Sequence, residues 1–276
     1  MNLPSLPIDK FEAIYTEWEG EADLGEDVRR HLAERGRYHR MLDRVLSAIP
    51  RDSLALELGC GTGIDSCILS KRHPHVRFAG IDIVQGSFNL ARRVSEQTGE
   101  EMALLQGDVF RLPFRSASIP LIFHQGLVEH FRDPAGMMRE QERVLMPGGW
   151  AFISVPQTWT GYTVMKRRRI RAGTWPWGWE RSFTAGAIGA LGRRAGLEPV
   201  ETQGEGYWHS CGEPAWVLRD LYAKFHRRYP AAGRAPVAPM GRAWEALWAR
   251  AEEAFGHRFC KNVIVSFQKP LRGGGD

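Results

Sequence analysis

Cysteine is scarce in this 276-residue chain: Cys60, Cys67, Cys211 and Cys260, with no Cys-x-x-Cys pair among them. That spacing suggests neither a zinc ribbon nor a disulfide framework, and the expected compartment is the reducing cytoplasm. Long apolar runs are lacking too. No stretch of about 18 apolar residues occurs, so no membrane span is expected. The opening segment, MNLPSLPIDKFEAIY, has no basic-then-apolar order, so secretion is not expected either. The Gly-Lys-Ser/Thr ending of a phosphate-binding loop is missing, and so is any internal repeat. Neither charge sign dominates: 37 basic against 32 acidic residues leave +5, which permits an anionic partner without requiring one. With 43% hydrophobic and 25% charged residues the composition is that of a folded globular chain, not a disordered one.

The pattern along the chain is a strand–helix alternation. Residues 28–49 read as a helix stopped by Pro50, with Leu32, Tyr38, Met41, Leu42, Val45 and Leu46 near helical spacing. Short apolar runs follow at 54–58, 76–81, 102–105, 119–123 and 150–155, with helical segments near 62–72, 85–97 and 134–145. Such alternation predicts an α/β fold: a doubly wound, mostly parallel sheet with helices on both faces. The expected division is an N-terminal helical cap (1–50), a core (51–209), a helical insertion (210–257), a last core strand (258–270) and a mobile tail (271–276). Within the core, 156–183 is a Trp- and Arg-rich loop, followed by a helix near 184–195 and a strand near 197–203.

The chemistry concentrates in LELGCGTG, Leu56–Gly63. An apolar strand runs into Gly59, Gly61 and Gly63, and a helix follows, so the backbone can approach a ligand with no Cβ in the way. The third glycine comes one residue too early for a dinucleotide fingerprint, and Ile64 takes its place. Glu57 at the end of the first strand would repel a phosphate but suits an ammonium group. Asp82 ends the second strand, where a carboxylate can accept from both ribose hydroxyls, and Asp108 ends the third. The implied ligand has a nucleoside and an ammonium group but no phosphates. S-adenosylmethionine fits that description.

Residues of about 54 to 155 resemble the class I methyltransferases that use S-adenosylmethionine, especially their small-molecule branch. The matching segments are ALELGCGTG (55–63), GIDI (80–83), GDVFRLPF (107–114), GLVEHFRDP (126–134) and LMPGGWAFISVP (145–156), with FTAGAIGALGRRAGLEPV (183–200) beyond them. The resemblance implies a seven-stranded sheet with its last strand antiparallel. It places Glu57 near the methionine moiety and surrounds that moiety with the backbone of Gly59, Cys60, Gly61 and Gly63. It puts Asp82 on the ribose, Ile83 against adenine, Asp108 on the adenine amino group with the Val109 amide beside it, and Gln125 at the methyl-donor end. Pro120 stands where the family often has an acidic residue, which bears on the local shape of the fourth strand.

The segment after that strand, HQGLVEH, lacks the Asn/Asp-Pro-Pro-aromatic motif of base-amino methyltransferases and any cysteine nucleophile. A small-molecule acceptor is therefore expected, with no nucleic acid. GLVEHFRDP resembles ubiquinone-pathway O-methyltransferases, in which acidic residues and a histidine can hold a metal. Glu129 and His130 match, but Gly126 replaces the other acidic position, so no metal site is assigned. His130 reads either as a structural hydrogen-bond partner or as a catalytic base; His209 and His124 are further candidates for acceptor chemistry. Tyr15, Trp18, Trp159 and Trp208 are expected to cover the acceptor, although the tryptophans could equally glue the insertion to the core. The basic run at 166–171 is either a solvated helix face or a contact with an anionic membrane surface. Two alternatives stay open: an enzyme acting on a lipid or quinone at a membrane, and a silent cofactor-binding protein.

Overall fold

The computed structural model describes residues 8–21, 35–206 and 254–271, together with positions 228 and 250. Helices α1 (Ile8–Glu21) and α2 (Gly36–Leu46) precede strand β1 (Leu54–Leu58). Then come α3 (Ile64–Arg72), β2 (Arg77–Asp82), α4 (Ser87–Thr98), β3 (Ala103–Gln106) and β4 (Ile119–Gln125). A single 3₁₀ turn at Val128–His130 leads to α5 (Ala135–Val144), β5 (Leu145–Pro156), α6 (Gly161–Arg171), α7 (Ala185–Arg194) and β6 (Glu198–Glu205). The last strand is β7 (Asn262–Gln268). Among the described residues no helix is long and apolar enough to cross a membrane.

The seven strands lie in the order β3-β2-β1-β4-β5-β7-β6. β1 pairs in parallel with β2 and β4, whereas β7 runs antiparallel to both β5 and β6. The side-chain alternation of the strands builds two cores. Leu121, Phe123 and Phe152 face Tyr38, Leu42 and Leu46 of α2, while Ile122, Ala151 and Ile153 join the cluster holding Met137 and Met138 of α5 and Ile188 of α7. The buried Glu205 carboxylate at the end of β6 accepts from the Arg37 and Tyr38 amides at 2.7 and 3.1 Å. It thereby satisfies free N–H groups of the first turn of α2 and ties that helix to the sheet edge.

Three local differences from the sequence reading have visible causes. β5 begins at Leu145, not Trp150, because Leu145 pairs with Ile119 before a register shift between Ile119 and Leu121. Pro120 sits at that irregularity, where a missing N–H costs no ladder bond. The stretch 156–183 contains a regular helix, α6, started by the Thr160 hydroxyl accepting from the Thr163 amide at 3.1 Å. The described part of the expected 28–49 helix is α2; residues 28–34 lie outside the described residues, as do most of the insertion 210–257 and nearly all of the tail.

Candidate functional site

The carboxyl ends of the parallel strands form one edge. Leu58 lies opposite Ile81, and Asp82 opposite Gln106, so the chains leaving β1, β2 and β3 emerge side by side. After β1 the backbone turns through Gly59, Gly61 and Gly63, at φ +58°, +52° and +67°. These are left-handed conformations that glycine adopts without cost. A Cβ on Gly61 would stand 2.9 Å from the Tyr15 hydroxyl of α1, so the turn and that helix approach as closely as they do because position 61 is bare.

Asp82 locks this turn. Its Oδ2 accepts from the Gly61 amide and its Oδ1 from the Val84 amide, both at 2.9 Å. Each oxygen keeps a second lone pair for another donor. Burial raises the Asp82 pKa, opposed by the amides of Val84, Gly61 and Ile83. Asp108 stands two residues beyond β3, not on its last residue, and its Oδ1 accepts from the Phe110 amide at 2.9 Å.

Two cavities, of about 130 and 330 Å³, open along this edge. Asp82, Ile83, Asp108 and Val109 line the smaller; Glu57, Cys60, Gly61 and Gln125 line the larger. Phe11, Tyr15, Gly59, Gly126 and His130 border both, so the two are ends of one cleft. Gly63 borders neither, which corrects its expected place around the cofactor. It precedes α3 as its N-cap, and a Cβ there would meet the Met102 sulfur at 2.7 Å, so its bareness serves packing.

At the Glu57 end the larger cavity holds groups that the sequence had not singled out. Glu57 accepts from the Ser66 hydroxyl, and the neighbouring Asp65 accepts from Arg35 and from His39 Nε2. Burial first, then the Asp65 charge, push Glu57 up to about 8, against Ser66 and Arg35.

The other end is acidic and aromatic. Glu129 and His130 come from the 3₁₀ turn after β4, and Glu180 from the segment after α6. The Glu180 carboxylate accepts from Lys166 Nζ at 3.0 Å and from Trp175 Nε1 at 2.9 Å. Glu129 is 3% exposed, and its Oε2 has no hydrogen-bond partner. Burial, and then Glu180, push it up to about 8, with Lys166 pulling the other way. His130 packs edge-on against Phe11 at 5.1 Å, its Nδ1 has no partner, and burial lowers its pKa. Among the described residues no cluster of His, Cys, Asp and Glu has the arrangement to hold a metal ion.

Tyr15 and Trp18, expected over the acceptor, border the larger cavity, and so do Phe11 and Trp177, which the sequence had not singled out. Trp177 touches both Phe11 and Trp18 at 5.6 Å between ring centroids. Trp159 does not belong there: it is 73% exposed and borders neither cavity. The Gln157 side chain accepts from the Trp159 amide at 2.8 Å, forming a tight turn before α6 that leaves the indole in solvent. His124 is also displaced from the site. It lies on β4 inside the core, 1% exposed, and burial takes its pKa down to about 3. The basic run is not a uniform face either, since Lys166 is fully buried on Glu180 while Arg167, Arg168, Arg169 and Arg171 are exposed. Trp208 and His209 lie outside the described residues.

These buried groups fix the sign of a stability change with pH. In the folded chain Glu57 and Glu129 keep their protons to about pH 8, against a carboxyl's ordinary 4.5. Between those values the folded state holds more protons than the unfolded one, so stability falls as pH rises. His124 and His130 act oppositely, but only below about 6.5, where an unfolded histidine takes up its proton. The thermal midpoint of the ligand-free protein should therefore decline from pH 6.5 to 8. A midpoint that climbs over that interval would contradict the buried, uncompensated carboxyls.

Residues 56–153 match a family model described as a methyltransferase domain. That stretch, about a third of the chain, is a methyltransferase domain of the class I S-adenosylmethionine-dependent kind. Its cofactor is S-adenosylmethionine. The chain is 38% identical over 125 residues to an uncharacterised transposon-borne protein of Streptomyces fradiae, an alignment covering 45% of this chain and 35% of that one. It is 27% identical over 214 residues to a ubiquinone biosynthesis O-methyltransferase of Ruegeria pomeroyi, covering 71% of this chain and 84% of that one. The geranyl diphosphate C-methyltransferase of Streptomyces coelicolor, solved with Mg²⁺, geranyl diphosphate and S-adenosyl-L-homocysteine, superposes with a TM-score of 0.55. It is 12% identical, with 85% of this chain and 79% of that one covered, so it supports the fold alone. This methyltransferase thus spans about a third of the first relative and most of the second.

Proposed function

We propose that this methyltransferase transfers a methyl group to a small-molecule acceptor bound at the aromatic end of the cleft. The observation that carries the reading is the cleft itself. Asp82 and Asp108 line one cavity; Glu57 and Gly61 line the other together with aromatic rings and ionisable groups, and Gly59, Gly126 and His130 border both. The relative that matches over most of its length is named for O-methylation in ubiquinone biosynthesis, which supports a small acceptor.

The residues fit the cofactor. The left-handed turn leaves backbone, not Cβ atoms, facing the cavity at Gly59 and Gly61, and the buried Gln125 Oε1 has no partner in the described structure. In this reading Asp82 holds the ribose hydroxyls, Ile83 packs on adenine, and Asp108 with the Val109 amide bonds the adenine edge. Glu57 faces the ammonium of the methionine moiety, with Cys60 and Gln125 beside it. S-adenosylmethionine supplies a sulfonium methyl group that needs no further activation, so orientation and exclusion of water are the chain's main contributions. Phe11, Tyr15 and Trp18 of α1 supply that cover. His130, kept neutral by burial, is the group at the junction able to accept a proton from the acceptor; His209 remains a second proposed base, and Trp208 a proposed part of the cover. A cytoplasmic location belongs to the same reading, supported by free thiols at Cys60 and Cys67.

The test is transfer of label. Methyl-tritiated S-adenosylmethionine is incubated with the protein and a protein-free extract of cellular small molecules. Label should enter the small-molecule fraction with wild type and, at cofactor concentrations below saturation, at least about tenfold more slowly with Asp82→Ala. Equal labelling with both proteins, or none with either, would count against the reading.

A second surface adds a peripheral contact to this proposal. The exposed arginines of α6 stand with Trp159 and Val164, 73% and 59% exposed, a pairing suited to an anionic lipid surface. Co-sedimentation with phosphatidylserine vesicles, absent with phosphatidylcholine and lost on Arg167→Glu/Arg168→Glu, is the expected result; equal recovery with both lipids would remove the contact.

A further inference from the structure

The aromatic end of the cleft carries one carboxyl more than its immediate surroundings neutralise. Glu180 is already held by Lys166 and Trp175. Glu129, beside it, has no such partner on Oε2, although that oxygen is buried and its residue lines the larger cavity. A buried carboxyl oxygen without a donor is costly, and because Glu129 lines a cavity, a ligand there can supply the donor. The groups around it come from several elements: His130 on its own turn, Glu180 after α6, Lys166 and Tyr162 on α6, and Lys261 before β7. Lys166 is spent on Glu180. Lys261 lies 5.0 Å over the Tyr162 ring, and the charges that bear on Glu129 are Glu180 and Lys166. The same cavity is lined by Phe11, Trp18 and Trp177, the last in contact with both others, and ring faces attract cations.

We propose that the acceptor is an amine, whose ammonium form is held by the Glu129 carboxylate between Phe11, Trp18 and Trp177. This rests on the larger cavity being the acceptor site. The bonded ammonium also explains how a nucleophile is produced. For an amine, Glu129 takes the place of His130 as the base: one N–H proton passes to the Glu129 carboxylate, giving a neutral amine with a free electron pair and a neutral carboxylic acid, so atoms and charge balance. In the ligand-free chain Glu129 keeps its proton to about pH 8; an ammonium placed beside the carboxyl favours its ionised form, and the carboxylate so formed stays basic enough to take one proton back from the amine. An alcohol would satisfy the orphan oxygen but brings no positive charge to ionise the carboxyl or to meet the ring faces.

The experiment titrates the full-length protein, saturated with S-adenosyl-L-homocysteine, with three probes of one shape and different charge. These are isoamylamine, isoamyl alcohol and 4-methylpentanoate near pH 7, followed by ligand-detected NMR. The amine should bind at least about tenfold more tightly than the alcohol, a difference of about 1.4 kcal/mol, with the carboxylate weakest. In Glu129→Gln the preference for the amine over the alcohol should shrink to about twofold, with S-adenosyl-L-homocysteine affinity within about threefold of wild type. Equal or tighter binding of the alcohol or carboxylate, no binding of any probe, or an undiminished preference in Glu129→Gln would overturn the amine assignment. Retained S-adenosyl-L-homocysteine binding would then leave the methyltransferase reading standing, whereas its loss in wild type would remove both.

Discussion

Asp82→Ala is expected to weaken S-adenosyl-L-homocysteine binding by about 1.5–3 kcal/mol, roughly 10- to 150-fold. The carboxylate has two duties in the structure. It accepts from the amides of Gly61 and Val84, which fixes the glycine turn, and it borders the cleft with lone pairs to spare. Alanine removes both, and two amides lose their acceptor. Asp82→Asn separates the duties, since its amide oxygen still accepts from one backbone N–H while the charge is lost. Calorimetry on the two variants should place asparagine between wild type and alanine. An unchanged dissociation constant in a folded Asp82→Ala protein would take the residue out of the site.

The second large effect concerns stability. Gly204→Ala on β6 is expected to cost about 3 kcal/mol or more, at the upper end of overpacking penalties. A Cβ at 204 would stand 1.9 Å from the Gly256 carbonyl carbon and 2.4 Å from the His257 nitrogen. Both are backbone atoms, and the segment carrying them is pinned because Gln157 Nε2 donates to the His257 and Arg258 carbonyls at 3.1 and 2.8 Å. No side-chain rotation relieves the clash; the 254–259 helical stretch or the sheet edge must move. A thermal midpoint about 6–12 °C lower than wild type is the expected reading. Gly186→Ala on α7 is the control. The nearest atom to its Cβ is 4.0 Å away, so that variant should unfold within a few degrees of wild type.

The sheet was legible because its signals are local. β1 occupies 54–58 as expected, since an apolar run bounded by Ser53 and Gly59 leaves little freedom in where a strand starts and stops. Asp82 and the Gly59–Gly61 turn were legible for a similar reason: strand end, carboxylate and glycine lie within a short span that the parallel topology brings to one edge. Gly63 shows the limit of that argument, because spacing identifies a bare position but not whether a ligand or Met102 requires it.

The acceptor end was much less legible. Glu180, Lys166 and Trp177 are brought to Glu129 and Phe11 by the path of α6 and α1 across the sheet edge, and no local periodicity encodes a contact between residues 11 and 177. Lys166 sits in a run of arginines that resembles a solvated face, yet it is the one buried basic residue of that run because Glu180 stands opposite. Trp159 was expected over the acceptor because residues 156–183 leave the sheet edge after β5, and that topology carries no information about which way an indole turns.

The central claim is that the strand-end carboxylates and the glycine turn bind S-adenosylmethionine. A calorimetric titration of the full-length protein tests it most directly. The account predicts saturable one-to-one binding of S-adenosylmethionine and of S-adenosyl-L-homocysteine, with no heat from NAD under the same conditions. Binding of NAD with no response to either sulfur ligand would contradict it.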